Sequence, residues 1–282
     1  KMLVMCGPEC FDVAYELSTN RWMNKKVKPW KDAAYQQWFR LFGQCVETAG
    51  FGTIKIMRPK PKLPDMVFVA NAGLVYQDIF IASNFFHKER RPESEHYENF
   101  FRNHFNQKVC LLPKDAYFEG QGDAVWLDDH RLLIGYGVRT NLEGVKAVEK
   151  ILKSVNPDIE VIPLEMRGVK DYKPREKIFY HLDTCLMYLR SAKSFLTYLR
   201  PFIENAAERL VGLGEIIPVR RDEAEEFICN GIEVNQTTLF LPWVNDPIRN
   251  ALADFGYTKV KTFQMSEFMK AGGAVKCLIF EM

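Results

Sequence analysis

The chain has 282 residues, of which 47% are hydrophobic and 26% charged, and its formal net charge is +2. This is the composition of an ordinary folded globular protein, with no charge excess to draw it to nucleic acid or a membrane surface. No apolar run approaches the ~20 residues of a membrane-spanning helix, and KMLVMCGPEC at the start lacks the long apolar core of a secretion signal.

MLVMCGP reads as a strand. In WKDAAYQQWFRLFGQCVETAG, the residues Trp30, Ala34, Trp38, Leu41 and Cys45 recur at steps of three or four and mark one apolar helix face, which Gly50 ends. IKIMRP follows as a short strand. MVFVANAGLVYQDIFIAS then reads as a strand, a tight turn and a second strand, and the same plan returns three times. It is seen in YFEGQGDAVWLDDHRLLIGYG, in IFYHLDTCLMYLRSAKSFLTY and in EFICNGIEVNQTTLFLP. Between these hairpins lie helical patterns such as NLEGVKAVEKILKSV, whose Val145, Val148, Ile151 and Leu152 share a face and whose N-cap is Asn141. KVCLLP, IEVIPLE and EIIPVR read as closing strands. A last strand-like run, AVKCLIFEM, has no second strand after it, and MLVMCGP completes it as a neighbour.

The hairpins begin near residues 66, 117, 178, 226 and 274, a spacing in the range of repeated supersecondary units. Such units bury their faces only by packing on one another. Five of them, each a hairpin, a helix and a further strand, pack around one axis in a single domain over residues 1–282. The openings of their first strands then meet at the centre. They carry Asn71, then Glu119 with Asp123, His181 with Asp183, Cys229 with Asn230, and Cys277, which follows Gly272-Gly273.

Taken singly, each of these residues fits a structural role: a hydrogen-bonded histidine, a turn carboxylate, a core thiol. A carboxylate, a histidine and a thiol at equivalent places of different repeats is a different matter, because core packing does not ask for it. A cysteine attacks as the thiolate, which a nearby imidazolium favours. A histidine can carry protons for a leaving group and for water. Glu119 and Asp183 suit a planar cation with a fork of N–H donors, such as a guanidinium. The seven cysteines are odd in number and include no CxxC pair, and Cys6 and Cys10 lack a second ligand pair with zinc-like spacing. The expectation is a cytoplasmic protein with reduced thiols, no metal and no cofactor.

In order along the chain, LPDMVFVANAG, FEGQGD, GYGVRT, FYHLDT and GGAVKC resemble the guanidine-modifying pentein superfamily. It contains arginine deiminases, dimethylarginine dimethylaminohydrolases, amidinotransferases and arginine dihydrolases. The resemblance runs from MCGPECFDVAYEL to Cys277. It implies a five-bladed α/β-propeller with pseudo-fivefold symmetry and a covalent thiouronium-type intermediate. It also implies that Cys277 is the nucleophile, His181 the general acid and base, and Glu119 its carboxylate partner. Asp183 resembles the aspartate that binds the guanidinium. Arg90 and Arg139 resemble the arginines that bind a substrate α-carboxylate, with Arg91 able to stand in for Arg90. Phe68, Asp123 and Asn20 complete the substrate-binding set.

Many members carry an acidic residue where this chain has Asn71, and an asparagine there resembles the dihydrolases. FDVAYELSTNRWMN resembles their NPWM loop, although two extra residues precede Asn20 and an arginine replaces the proline. The reading is therefore a cysteine hydrolase that turns arginine into ornithine, ammonia and carbon dioxide. The alternatives are single-step deimination, dimethylarginine hydrolysis, amidino transfer, and a propeller used only for binding. Its partner is a small guanidino compound; a homo-oligomer is compatible with the sequence.

Overall fold

The computed structural model describes residues 2–282. Its strands and helices run β1 (Leu3–Cys6), α1 (Lys31–Ala49), β2 (Ile54–Met57), β3 (Gly73–Tyr76), β4 (Ile79–Ala82), α2 (Glu93–Phe105) and β5 (Lys108–Cys110). They continue β6 (Ala124–Trp126), β7 (Arg131–Tyr136), α3 (Leu142–Val155), β8 (Glu160–Glu165), β9 (Leu186–Leu189), β10 (Ser194–Thr197), α4 (Glu204–Leu213) and β11 (Glu215–Pro218). The last part holds the short α5 (Arg221–Glu225), β12 (Ile232–Asn235), β13 (Thr238–Leu241), α6 (Asp246–Asp254), β14 (Lys259–Thr262), the short α7 (Ser266–Met269) and β15 (Phe280–Glu281).

The strands form five three-stranded sheets, each built as an antiparallel pair, a helix and a returning parallel strand. In the unit of β6, β7 and β8, for example, Val125 pairs antiparallel with Leu133, and Leu133 pairs parallel with Ile162. The fifth sheet has the order β15-β1-β2, so one unit draws its first strand from the far end of the chain, as the sequence implied. This is the five-bladed α/β-propeller.

Local chemistry sets the elements. Asn141 caps α3 by accepting a hydrogen bond from the Gly144 N–H at 2.8 Å, and Val145, Val148 and Leu152 of that helix are buried. Gly50 ends α1 with a φ of 86°, a left-handed value that favours glycine. Trp30 departs from the predicted apolar face. It precedes the first helical turn and is 68% exposed, because the helix starts at Lys31 and only Ala34, Trp38, Leu41 and Cys45 turn inward. The strand Lys259–Thr262 carries only one hydrophobic residue, Val260, and the sequence pattern passed over it.

The predicted first strands are shorter than the sequence suggested. Val69–Ala72, Gly120–Gly122, Leu182–Thr184 and Lys276–Leu278 are single turns of 3-10 helix that precede β3, β6, β9 and β15. Cys277 thus lies on a turn and not within a strand. The reason is crowding: these turns pack on one another at the axis, and a tight turn lets a side chain and a backbone N–H face inward together.

Candidate active site at the propeller axis

One side of the axis is built on Glu119. Its side chain is fully buried, and Oε2 accepts hydrogen bonds from His181 Nε2 at 2.7 Å and Arg139 Nη1 at 3.1 Å. Oε1 accepts the Phe86 N–H at 3.2 Å. Burial alone would raise the carboxyl's pKa, but Arg139, the hydrogen bond and charge of His181, and Arg90 outweigh it and hold Glu119 well below the usual carboxylate range. Burial lowers His181 to about 4 against the opposing pull of Glu119, so at neutral pH the ring is uncharged. An ionised Glu119 then requires the proton on Nε2, which leaves Nδ1 with a lone pair. That nitrogen faces Gly122, where a Cβ would lie 3.0 Å from Nδ1 and would overlap the Asn71 amide nitrogen.

The other side is built on Cys277. Its Sγ lies 3.3 Å from Asp183 Oδ2 and 3.1 Å from Asn230 Nδ2. Asn230 also accepts the Cys277 N–H at 3.2 Å and the Ala274 N–H at 3.1 Å through Oδ1, and so anchors the turn that carries the thiol. Burial, then the Asp183 charge, push the Cys277 thiol well above its ordinary value. Burial raises Asp183 to about 7, against the Cys277 hydrogen bond, Lys276, Asn230 and Arg139. The stabilisation of a thiolate by an imidazolium is therefore absent from this state. His181 is neutral, and Lys276 points to Gln121 Oε1 at 2.9 Å and Glu281 Oε2 at 3.0 Å.

Gly272 and Gly273 have separate reasons to lack side chains. Gly272 has a φ of 87°, and its carbonyl accepts the Tyr180 hydroxyl. At Gly273 a Cβ would fall 2.6 Å from the Phe68 ring and 3.1 Å from the Cys277 Cβ. Phe68, buried, stands edge-on to Phe11 and Phe268. Asn20 also lies on this loop, donating to the Ala271 carbonyl at 2.9 Å. Its neighbour Thr19 accepts from Arg139 Nε at 3.0 Å and meets His87 Nε2 at 2.8 Å. The irregular N-terminal segment is thereby tied across the axis.

Asp123 has both oxygens occupied, by the Thr140 hydroxyl at 2.6 Å and the Leu182 N–H at 3.0 Å, so here it braces the two turns. Asn71 is buried, with Oδ1 accepting from Arg90 Nη1 at 2.8 Å. Arg90 is itself paired with Glu93. Arg91, by contrast, bonds the Phe85 and Phe86 carbonyls. Three buried charged-group atoms of this network have no hydrogen-bond partner among the described residues: Asp183 Oδ1, Arg139 Nη2 and, beside Arg90, Asp65 Oδ1. Among the same residues no group of three or more His, Cys, Asp or Glu side chains could hold a metal ion.

The sequence reading left Asn230 out of the site, although it stands at the opening of its own repeat beside Cys229. Its position was the available signal, but asparagine near a turn usually serves the backbone. Thr19, Tyr180 and Glu93 carried no signal.

Five blades closing on an axial cysteine, a histidine–carboxylate pair and a second carboxylate define a pentein of the guanidine-modifying class. A family model described as N,N dimethylarginine dimethylhydrolase, eukaryotic, matches residues 15–282, and the chain belongs to that family. The bifunctional arginine dihydrolase/ornithine cyclodeaminase ArgZ of Synechocystis sp. is 35% identical over 284 residues, spanning 98% of this chain and 37% of ArgZ. The chain thus covers little more than a third of that relative's length. The N(G),N(G)-dimethylarginine dimethylaminohydrolase of Mycobacterium tuberculosis is 30% identical over 280 residues, spanning 99% of this chain and 84% of the relative. The N-terminal domain of ArgZ, solved as a cysteine-to-serine variant bound to substrate, superposes with a TM-score of 0.87 at 32% identity, covering 99% of this chain and 97% of that domain. The same domain has been solved as an asparagine-to-serine variant covalently bound to a reaction intermediate.

Proposed function

We propose that this protein hydrolyses the guanidino group of arginine twice, through an intermediate on Cys277, to give ornithine, two molecules of ammonia and carbon dioxide. One observation carries the reading. Asp183 Oδ1 and Arg139 Nη2 are buried atoms of opposite charge without protein partners. Unpaired buried groups of this kind are costly, and a zwitterion with a guanidinium at one end and a carboxylate at the other satisfies both.

The chemistry follows from the electrostatics. With the site free of substrate, Cys277 is a thiol. A guanidinium docked on Asp183 offsets the negative charge that burial and Asp183 otherwise penalise, so the thiolate forms beside its target. The thiol proton passes to His181 Nδ1, and Glu119 and Arg139 keep the ring oriented while it is charged. The sulfur attacks the guanidino carbon, and His181 returns the proton to the departing ammonia. Water, deprotonated by His181, then attacks the thiouronium carbon and releases the sulfur, leaving bound citrulline. In the second round an N–H of Asn71 holds the neutral ureido oxygen while the thiolate attacks again. His181 gives its proton to the δ-nitrogen as ornithine leaves, and water clears the carbamoyl group from sulfur as ammonia and carbon dioxide.

Asn71→Asp is the direct test. An aspartate would present lone pairs to the ureido oxygen, so the variant should keep part of the first hydrolysis and release citrulline in place of ornithine, read by chromatography of products from arginine. The family match favours a second reading, a dimethylaminohydrolase that stops at citrulline. Wild-type protein that yields only citrulline would replace the first reading with the second. Free thiols at all seven cysteines support a cytoplasmic protein, and no helix among the described residues is long and apolar enough to cross a membrane.

A further inference from the structure

Tyr180 stands next to His181 in the chain, is 5% exposed, and takes no part in the steps above. Its ring lies against the face of the Arg139 guanidinium, with Cζ 4.1 Å from the ring centroid. The Trp22 ring packs on it at 73°, centroids 6.0 Å apart. Burial pushes the hydroxyl's pKa well above its ordinary value, so the group keeps its proton, which it donates to the Gly272 carbonyl. At Gly272 a Cβ would fall 2.7 Å from that hydroxyl oxygen. One side chain thus touches the arginine at one end of the site and the loop that leads to Cys277 at the other.

Arg139 is directed within its plane by Thr19 on Nε and Glu119 on Nη1, at 3.0 and 3.1 Å. Two contacts along one edge leave the plane free to tilt about the line that joins them. That tilt would swing Nη2, which has no hydrogen-bond partner among the described residues. An aromatic face stacked on the guanidinium opposes it. The loop is held in a matching way. Asn230 Oδ1 takes the Ala274 and Cys277 N–H groups, and the Tyr180 hydroxyl takes the Gly272 carbonyl ahead of them. Ring and hydroxyl belong to one rigid phenol, so the position of Nη2 and the entry to the Cys277 turn are set against each other. We propose that Tyr180 is a positioning residue that fixes the span between the carboxylate-binding edge of Arg139 and the attacking sulfur, its ring serving the first and its hydroxyl the second. This rests on the reading above, in which Arg139 takes the substrate carboxylate, and adds what keeps the two ends of the substrate in register with the two ends of the site.

Two variants take the roles apart, with kcat and KM measured from ammonia release at initial rate for arginine and for agmatine, which lacks the carboxylate. Tyr180→Phe keeps the ring and drops the hydroxyl. Its kcat for arginine should fall about tenfold, the scale of one lost hydrogen bond, while the preference for arginine over agmatine in kcat/KM stays at the wild-type value. Tyr180→Leu drops both. Its kcat should fall at least as far, and its preference should shrink about tenfold, the scale of a desolvated cation–π contact. A side chain that only filled space would cost the two substrates alike, so an equal loss toward both in Tyr180→Leu overturns the inference. So does a wild-type kcat in Tyr180→Phe. If Tyr180→Leu does not fold, Tyr180→Phe decides alone, and a wild-type kcat in it overturns the inference. Wild type that does not prefer arginine to agmatine removes the role of Arg139 and this one together; a wild-type preference that survives in Tyr180→Leu removes only this one.

Discussion

Glu119 and Asp183 are both buried at the same axis, yet their pKa values move in opposite directions. Glu119 touches Arg139 and His181 and is held ionised. Asp183 touches only a thiol and an amide, and its pKa rises to about 7. Burial acts the same way on each. What differs is whether the protein supplies a contacting cation. A carboxylate finished by the protein serves structure and histidine orientation, whereas one left without a cation is set to take its cation from a ligand.

The strongest challenge to this contrast is Cys277→Ser, which leaves both carboxylates in place. Turnover of arginine should drop by at least about 10⁴-fold with the melting temperature unchanged. Residual activity near wild type would move the chemistry to another thiol. Glu119→Gln comes next. It should cost about 3–5 kcal/mol of stability, because Arg139 stays buried without its charge partner, and activity should fall by roughly a hundredfold or more as His181 loses its anchor. Urea unfolding and steady-state kinetics read the two effects.

Asp183→Asn should separate what Glu119→Gln merges. A lost charged contact is worth roughly 1.5–3 kcal/mol, so kcat/KM should fall about tenfold to more than a hundredfold. Stability should not fall, since no cation of the protein contacts Asp183. Loss of stability equal to that of the Glu119 variant would erase the distinction. The pH dependence carries the same sign. Asp183 binds its proton more tightly folded, at about 7, than at its ordinary value of 3.8. The folded state thus holds the extra proton between those values, and stability falls as pH rises from about 4 through 7. Asp183→Asn should flatten that slope, measured by unfolding at a series of pH values.

The smallest effect concerns Arg139, which belongs to both sides through Nη1 on Glu119 and the unpaired Nη2. Arg139→Lys keeps a cation for Glu119 and gives up the fork. The preference for arginine over agmatine, which lacks the carboxylate, should shrink about tenfold. An unchanged preference would remove Arg139 from substrate binding.

The sequence made the blades legible because each repeats the same hairpin, helix and strand, and repetition survives where single elements are ambiguous. It made Cys277, His181 and Asp183 legible because their chemical types are out of place at the heart of a core. It did not reveal the 3-10 turns, since Val69–Ala72 and Lys276–Leu278 are apolar enough to read as strand. Nor did it reveal the charge states. Asp183 is raised by burial, against the pull of Lys276, and no spacing in the sequence records that balance. Glu93 escaped for a similar reason, because HKERRPESE looks like a solvated surface and folds so that Arg90 and Glu93 are interior.

The sheet of β15, β1 and β2 joins the two extremes of the described chain, with Leu3 opposite Glu281 and the Met2 and Met282 backbones bonded to each other. The other four sheets draw on strands that are near neighbours in the chain. Four blades can therefore form from local contacts as they emerge, but the fifth must search across the whole intervening length, the slowest kind of contact to make. Cys277 lies in the stretch that waits for this closure. A folding intermediate with four blades and an open ring would look largely native by its secondary structure and carry a nucleophile without a site. Recovery of activity after refolding would then lag the recovery of circular dichroism, and the lag would time the closing of the ring.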